Sequence, residues 1–529
     1  MKTLIDELDA SGGTAGPAAM RVETGSRSLL AAWCLGLMIL LAPLFLFSRP
    51  HLQDYPNHLS RVEIMRLAGD TALSSHYEIL PLRPGNAAFD AFVLAAAQVM
   101  TPESGGRLFV LLALVLTATG AWALRRALGG PNDVILLATL PFLYSASFTI
   151  GLLPHLIGIA VALHAMALWV LAGRWPWWLR LPVGALSAML LATLHLYAFG
   201  TFALFVVAEA VTRLGAGYSW RRPAFWLHLA GEGMIGLPAL IMLASTAGTS
   251  DLVGSAALDW SLDKPLRLLW LFGYGPWWVA ILTAGFWLAA VSPLMRRGNL
   301  IIDPTAKLAA WLMFAAFVLL PRRAGELYEI DWRALTPAVL VALAGTRYAL
   351  PAPAKIERRI LAGLMALMLA MAATLSWLWR SAEAAQADLI AVTEGLKPGS
   401  TLFWGMSDPA TMDWVGASAP GIYHIASNAV AARHVMVSTT FAIPGQHPVR
   451  LRDPYLRKLH YLSAVHLAYA MHQYGLEGIQ LADVAARFDH ILLYGPAGPK
   501  EPLMLPLDRM HLVRTVGAFR LYAVDRSQR

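Results

Sequence analysis

The chain has 529 residues, of which 57% are hydrophobic and only 14% are charged, whereas soluble globular proteins carry about 25% charged residues. This composition excludes an ordinary soluble protein and is typical of a chain that crosses a lipid bilayer many times. The net charge of +8 comes as small basic clusters between apolar runs, which excludes the continuous basic surface of a nucleic-acid-binding protein. The single cysteine, Cys34, excludes an intramolecular disulfide.

The first two elements are a polar N-terminus and an apolar run. Residues 1–28 are polar and rich in small side chains, which predicts a disordered segment. Lys2, Arg21 and Arg27 precede the apolar run 29–47, so the positive-inside rule places the N-terminus in the cytoplasm. The run can cross a hydrocarbon core of about 30 Å and is not followed by a small-residue cleavage site, so we expect an uncleaved first span.

Ten further spans follow from the hydropathy of the chain. Eight lie at 106–124, 134–148, 154–172, 227–244, 277–295, 305–320, 334–349 and 360–379. The run 181–211 is interpreted as two short helices that meet at the outer face near His195, with one long tilted helix as the alternative. Short basic loops alternate with longer mixed loops, as the positive-inside rule requires. The sequence therefore predicts a polytopic α-helical protein of about 11 spans in a bacterial inner (plasma) membrane.

Three regions follow from this layout. The membrane domain covers residues 29–380 and includes a first external loop, 49–105, whose apolar segment 87–100 is too short to span and predicts a helix lying against the membrane or the bundle. Residues 381–529 predict a soluble α/β domain, with strands at 401–406, 434–442, 490–496 and 519–525 and helices at 381–396 and 461–476. An odd number of spans places this domain in the periplasm.

The first external loop carries the strongest candidate for chemistry, in "HLQDYPNHLSRVEIMR". Asp54 precedes a helix that Pro56 is expected to start, and His58 and Arg61 follow on one helical face. An acid at the membrane surface is partly desolvated, which favours a general base for an acceptor hydroxyl or amine. A helix-capping Asp54 is the alternative. Asp90, inside the apolar segment, either completes an acidic site with Asp54 or faces water.

A late external loop, "PRRAGELYEIDWR", holds three arginines on the side of the membrane where basic residues are rare. Arginine forks bind phosphate oxygens in pairs, so Arg322, Arg323 and Arg333 are candidate contacts for a lipid phosphate or pyrophosphate. The alternative is that these arginines pair with the acids of the same loop, which are Glu326, Glu329 and Asp331.

Two histidines lie at the ends of apolar helices. An ionisable group at such a position is a functional-site hypothesis, so His195 is a candidate phosphate contact and His155 is a further functional candidate. A hydrogen-bonded structural role is the alternative. The sequence contains no Walker A loop, HExxH, CxxC or GxSxG motif, which argues against ATP-driven chemistry within the chain. The histidines of the C-terminal region are scattered without ligand spacing, so we expect no metal site there.

This layout resembles the GT-C superfamily of membrane glycosyltransferases, which use polyprenyl-phosphate sugars. The resemblance covers residues 29–380. It rests on the acid in "LQDYPNHLSR", the loop helix "NAAFDAFVLAAAQVM", the span start "GGRLFVLLAL" with "RRALGG" after it, the helices meeting at His195, and the late loop "YEIDWRALTPAVL". The chain is also similar to bacterial inner-membrane proteins that carry a D-x-P-N-H-L-x-R loop.

The resemblance implies a GT-C-like fold and an inverting transfer of a sugar from a polyprenyl-phosphate donor to a glycan, lipid or protein acceptor. Asp54 would be the catalytic base. The donor phosphate would be held by His195, Arg322, Arg323 and Arg333. Apart from the resemblance, the sequence offers His58 and Arg61 as further candidate substrate contacts, and Asp90, His155, Glu326 and Asp331 as additional candidates.

The resemblance gives no support for a metal, because the second external loop around 144–151 has no clear acidic pair. We expect no cofactor beyond the lipid-linked donor, and partners that are membrane lipids rather than nucleic acid. A non-catalytic transporter, flippase or envelope-assembly protein built on the same bundle is the alternative function.

Overall fold

A computed structural model describes residues 17–525 except 70, 218–219, 248–257, 261, 296–299, 325–328, 349–352, 408–420, 443–446, 459–464, 467–479 and 499–504. The α-helices are α1 (Pro17–Leu41), α2 (Pro43–Leu46), α3 (Tyr55–Arg66), α4 (Thr71–Ser74), α5 (Ala88–Ala96), α6 (Pro102–Ala127), α7 (Val134–Leu137), α8 (Ala146–Ile150), α9 (Leu153–Leu171), α10 (Trp177–Leu194), α11 (Leu196–Gly217), α12 (Pro223–Gly233), α13 (Leu237–Ala247), α14 (Lys264–Arg267), α15 (Trp277–Met295), α16 (Pro304–Leu319), α17 (Leu335–Gly345), α18 (Ala354–Val392), α19 (Asn428–Arg433), α20 (Pro454–Lys458) and α21 (Leu481–Ala485).

Short strands and 3₁₀ helices complete the described chain. The strands are β1 (Tyr77–Ile79), β2 (Leu258–Asp259), β3 (Leu300–Ile302), β4 (Arg323–Ala324), β5 (Thr346–Tyr348), β6 (Thr401–Met406), β7 (Met436–Val437), β8 (Val449–Leu451), β9 (Val465–His466), β10 (His490–Tyr494), β11 (Met510–Val516) and β12 (Phe519–Val524). The 3₁₀ helices are Leu140–Tyr144, Ala172–Arg174, Met234–Gly236, Leu268–Phe272, Trp332–Ala334, Ile425–Ser427 and Leu507–Arg509.

Long apolar helices make this a multi-pass membrane protein. Within the described ranges, seven helices are long and apolar enough to cross a bilayer: Pro102–Ala127, Leu153–Arg174, Trp177–Leu194, Leu196–Gly215, Pro223–Ser245, Trp277–Met295 and Ala354–Val392. Four shorter apolar segments, Ser28–Leu41, Val134–Ile150, Pro304–Leu319 and Trp332–Gly345, coincide with the other predicted spans. The apolar pattern therefore located these helices, while the total of 11 crossings stays a prediction.

The segment 181–211 consists of two helices rather than one. Helix α10 ends at Leu194 and α11 begins at Leu196, because His195 between them adopts an extended backbone with φ −167° and ψ 128°. The predicted pair of helices is confirmed, and the alternative of one tilted helix is wrong. Because of this break, His195 lies at the junction of two apolar helices rather than inside one helix.

The first loop is a packed structure of helices. Helix α5 has 9 residues, too few to cross a bilayer, which confirms the predicted short loop helix. Its Phe89 ring packs edge-on against Tyr55 of α3 and Phe109 of α6, with ring centroids 6.2 Å and 5.2 Å apart. These contacts fix α3, and with it the residues at the start of α3, against the membrane helices.

The C-terminal region is built on a mixed sheet, which confirms the predicted α/β character. The sheet has the order β11-β12-β10-β6-β7, with β9 also paired to β6. Strand β10 runs parallel to β6 and antiparallel to β12. The predicted strands at 401–406, 490–496 and 519–525 correspond to β6, β10 and β12, whereas only Met436–Val437 of 434–442 is a strand. The predicted helix 461–476 lies outside the described residues except for β9, a strand.

The boundary between the membrane domain and the C-terminal region is continuous. Helix α18 has 39 residues and passes through the predicted boundary at 380 without a break. The first loop also joins the C-terminal region, because β1 pairs antiparallel with β8 through Tyr77 and Leu451. Buried Ile64, Leu73 and Tyr77 of the loop belong to the same hydrophobic core as the sheet. The C-terminal region therefore packs directly on the loop that carries Asp54.

Candidate active site

Asp54 occupies the N-terminal end of α3 but does not cap it. Among the described residues no backbone N–H donates to its side chain as a cap, so the capping interpretation is wrong. The Asp54 backbone N–H donates to the Ile150 carbonyl at 2.8 Å. Next to Ile150, Gly151 has φ +83°, and a Cβ there would lie 3.2 Å from the Leu52 Cβ and 3.3 Å from the Asp54 nitrogen. A glycine in the left-handed region thus allows α8 to approach the start of α3 closely.

The environment of the Asp54 carboxyl raises its proton affinity. The residue is 8% exposed, and burial raises the pKa of Asp54 to about 8. A hydrogen bond from the Gln53 side chain and the positive charges of Arg333 and Arg61 oppose this shift only in part. A carboxyl with a pKa near neutrality can take a proton from a substrate and release it again, as a general base must.

A group of polar side chains from three other segments lies around Arg333. The His155 ring is 5.2 Å from the His195 ring and 5.7 Å from the Tyr197 ring, centroid to centroid. The Tyr197 backbone N–H donates to His195 Nδ1 at 3.1 Å. The Arg333 charge lies within electrostatic range of Asp54 and of His195. The start of α9, the α10–α11 break and the late loop therefore converge near the acid.

His195 lies at the break between two helices, in a setting that disfavours its charged form. Burial, assisted by the positive charge of Arg333, lowers the pKa of His195 to about 3, so the imidazole is uncharged at physiological pH and can donate only one hydrogen bond. Two buried polar atoms here, His155 Nδ1 and the Tyr197 hydroxyl, have no hydrogen-bond partner among the described residues. Buried polar atoms of this kind are expected to meet a ligand or a water.

The late loop holds Arg333 by a network of charges. Arg333 Nε donates to the Glu329 carbonyl oxygen at 2.9 Å, and Glu329 has a left-handed backbone with φ 57°. The Glu329 carboxylate accepts hydrogen bonds from Arg322 at 2.9 Å, Arg267 at 3.0 Å and the Trp332 indole at 2.8 Å. These four contacts stabilise the unusual backbone that presents Arg333.

The three predicted arginines are thus placed differently. Arg322 pairs with Glu329, as the alternative interpretation proposed, and Asp331 is buried and pairs with Arg267 at 3.1 Å. Arg323 lies in β4, which pairs with Leu258–Asp259. Of these three arginines, Arg333 is the one whose charge acts on Asp54 among the described interactions. Glu326 lies outside the described residues.

His58, Arg61 and Asp90 form a separate buried group. Arg61 is 0% exposed and binds both Asp90 oxygens, with nitrogen–oxygen distances of 2.9 Å and 3.0 Å. Arg61 Nη2 also donates to His58 Nδ1 at 2.9 Å, and burial together with the Arg61 charge holds the pKa of His58 well below its usual range. The partner of Asp90 is therefore Arg61. The substrate-binding roles of His58 and Arg61 stay predictions, and their contacts are those of a structural ion pair.

Sequence reasoning missed two residues of the site. Tyr197 lies two positions after His195 and could have been found from that proximity. His424 comes from the C-terminal region, and its Nε2 is 3.5 Å from Asp54 Oδ1. No sequence signal links residues so far apart. Within the described ranges, no group of three or more His, Cys, Asp or Glu side chains that could hold a metal ion occurs.

Comparison with known proteins identifies the fold. No protein-family model and no curated protein matches the chain. The crystal structure of ArnT from Cupriavidus metallidurans in the apo state is similar with a TM-score of 0.51 and 12% identity, over 94% of this chain and 98% of that chain. The same ArnT bound to undecaprenyl phosphate has a TM-score of 0.49 at 12% identity, over 95% and 99%.

A third similar structure is the arabinofuranosyltransferase AftD from Mycobacteria, with a TM-score of 0.48 and 14% identity over 95% of this chain and 40% of that chain. The likeness to apo ArnT extends over nearly the whole of both chains. This protein is therefore a multi-pass membrane protein with an ArnT-like fold, in agreement with the fold that the sequence resemblance implied.

Proposed function

We propose that the protein is a membrane glycosyltransferase that moves a sugar from a polyprenyl-phosphate donor to an acceptor on the periplasmic side of a bacterial inner membrane. The observation that carries the proposal is the convergence of Asp54, a buried acid with a pKa near neutrality, with Arg333 from a segment almost three hundred residues along the chain. An acid and a cation so placed are the two groups that sugar transfer from a phosphate requires.

Asp54 acts on the acceptor in this proposal. Its carboxylate takes the proton from an acceptor hydroxyl or amine while the acceptor atom bonds to the anomeric carbon of the sugar. The bond between that carbon and the phosphate oxygen breaks, and its electron pair leaves with the phosphate. Attack opposite the leaving group inverts the anomeric configuration. The raised pKa of Asp54 makes it a stronger base than an exposed carboxylate.

The leaving phosphate is placed beside Arg333. Its guanidinium can donate two parallel hydrogen bonds to phosphate oxygens, while His155, His195 and the Tyr197 hydroxyl offer further polar contacts. Undecaprenyl phosphate, which the ArnT crystal structure contains, is a ligand of the class proposed here. No metal or other cofactor is part of the proposal, and the acceptor is a glycan, a lipid or a protein.

The orientation of the chain is part of the same proposal. Arg and Lys clusters at the ends of alternate apolar helices support a cytoplasmic N-terminus and a periplasmic C-terminal region. That orientation places Asp54, Arg333 and the sheet on one side of the membrane, where a lipid-linked sugar would enter the site sideways from the bilayer.

A lipid flippase or transporter is the second candidate. The apolar segment Val134–Ile150 is broken into α7, a 3₁₀ helix and α8, and discontinuous helices form the binding sites of many transporters. Ser145, Ser147 and Thr149 in or next to this break are buried. A flippase would use Arg333 to bind the lipid phosphate but would not need the base.

Reconstitution separates the two functions. Purified protein in vesicles is supplied with radiolabelled polyprenyl-phosphate sugars and candidate acceptors, and wild type is compared with Asp54→Asn. Asp303→Asn is the matched control. Like Asp54, Asp303 precedes a helix, but its side chain caps that helix, and asparagine caps a helix equally well. We expect transfer by wild type and Asp303→Asn and little by Asp54→Asn. Equal transfer by all three proteins would remove Asp54 from the mechanism, and lipid movement without transfer would favour the flippase.

A further inference from the structure

The C-terminal region contacts the candidate base directly. His424 lies just before the 3₁₀ helix Ile425–Ser427, and its Nε2 is 3.5 Å from Asp54 Oδ1. We infer that His424 is a positioning residue for Asp54, so that the active site is shared between the membrane domain and the C-terminal region. The inference rests on the proposed function of Asp54 as a base.

The environment of His424 supports an interaction with the acid rather than with solvent. Its side chain is 2% exposed, and it makes no capping hydrogen bond to its own helix among the described residues. The ring packs edge-on against Tyr423 and Phe441, with centroids 4.8 Å and 5.2 Å apart. Two aromatic rings therefore hold the imidazole in one orientation, with Nε2 directed toward Asp54.

Contacts around Ser427 fix the distance between His424 and Asp54. Ser427 Oγ donates to Asn57 Oδ1 at 2.6 Å, one helical turn after Asp54 in α3. Arg49 Nη1 donates to Asn428 Oδ1 at 2.8 Å, and Asn428 Nδ2 donates to Gln386 Oε1 of α18 at 2.6 Å. The segment that carries His424 is thus tied to the first loop and to the last long helix.

A close backbone approach on the other side of His424 holds the same segment. Gly421 has φ +85°, and a Cβ there would lie 3.0 Å from the Cβ atoms of both His51 and Ala382. Only glycine combines this backbone conformation with so close a contact. The chain is therefore held three residues before His424 as well as three residues after it.

An imidazole at this place can select one conformation of the carboxylate and stabilise its charged form. The charged groups that act on Asp54 are Arg61 from α3 and Arg333 from the late loop, and His58 is the other titratable group near His424. The two arginines act on Asp54 as nearby positive charges, and His424 Nε2 lies within ion-pair distance of Asp54 Oδ1. Removal of His424 should therefore change the ionisation at position 54 more than it changes donor binding.

The single native cysteine allows a test that does not depend on transfer. In the full-length protein Cys34 is replaced by alanine and Asp54→Cys is introduced, so that one thiol reports on the site. The rate of its reaction with methyl methanethiosulfonate is measured against pH, with and without His424→Gln. We expect loss of the imidazole to raise the pKa of the thiol by about one unit, which is about tenfold less thiolate at a given pH.

Two further variants make the test specific. Ser427→Ala removes the docking hydrogen bond but keeps the imidazole, so its thiol should react as in the parent protein. His424→Asn is measured in parallel in case the glutamine variant does not fold. An identical pH dependence with and without His424, or the same shift in Ser427→Ala, would overturn the inference.

Transfer assays of the wild-type background provide the second readout. We expect His424→Gln to lower kcat by about tenfold, as is usual when the residue that orients a functional group is lost, and to leave KM for the donor within about twofold. If wild type shows no transfer, the proposed function fails while the thiol experiment still decides whether His424 and position 54 are coupled. An increase in KM alone would place His424 in donor binding instead.

Discussion

Asp54→Asn should make the protein more stable, and the gain should depend on pH. Burial raises the pKa of Asp54 from 3.8 to about 8. Below about pH 4 the carboxyl carries a proton in both the folded and the unfolded protein, so its ionisation does not affect stability. Between about pH 4 and about pH 8 the folded protein holds a proton that the unfolded chain has released, and the native state therefore loses stability as pH rises.

The size of the effect follows from the shift. Each pH unit within this window lowers the free energy of unfolding of wild type by about 1.4 kcal/mol, which amounts to about 4 kcal/mol by pH 7. Asparagine has nearly the same shape as aspartate and no charge to bury, so its variant does not follow this slope. The difference in stability between the variant and wild type should grow with pH and stop growing above about pH 8.

Thermal unfolding in detergent at a series of pH values measures this difference. Asp508→Asn is the control, because the Asp508 side chain is 75% exposed and should give the same pH dependence as wild type. Melting curves of Asp54→Asn and wild type that stay parallel from pH 4 to 8 would refute the conclusion that burial suppresses ionisation of Asp54. In transfer assays the same ionisation should appear as a rise of kcat/KM with pH that levels off near pH 8.

Three further predictions concern the groups around the acid. Arg333→Lys keeps the charge but loses the bidentate fork, so polyprenyl-phosphate binding measured by titration should weaken about tenfold. The control Arg322→Lys should bind the lipid nearly as wild type does. Equal losses of affinity in the two variants would contradict the assignment of phosphate binding to Arg333 rather than Arg322. Asp90→Ala leaves the buried Arg61 without its carboxylate partner, which should lower the free energy of unfolding by about 3–5 kcal/mol. The double variant Asp90→Ala/Arg61→Met should recover part of this loss in the same denaturation assay. Gly151→Val places a branched side chain at φ +83° and should cost at least about 1–2 kcal/mol, and an unchanged melting temperature would show that the close approach to α3 is not needed.

Local patterns in the sequence were sufficient to find the helices and the acid. Apolar runs of the right length mark membrane helices because the bilayer has a fixed thickness, and Asp54 was identifiable as a polar group directly after such a run. The break at His195 was also predictable, since 181–211 is too long for one ordinary span and places a polar side chain near its middle.

The arrangement of the site depended on contacts that no local pattern records. The three loop arginines look equivalent in sequence, and only the fold shows that Arg322 pairs with Glu329 while Arg333 acts on Asp54. The docking of the C-terminal region through β1 and β8 joins residues at least 370 positions apart. Strand pairs of three residues are too short to be recognised by periodicity, so His424 could not have been placed near the acid.

The most direct test of the site is an experimental structure of the protein with a polyprenyl phosphate bound. We expect the phosphate oxygens to lie within hydrogen-bonding distance of the Arg333 guanidinium, on the side that faces Asp54 and with His155 or His195 alongside. A phosphate bound at Arg322 or Arg323, or anywhere out of reach of Arg333, would contradict the assignment of this cluster as the place where the sugar leaves its lipid carrier.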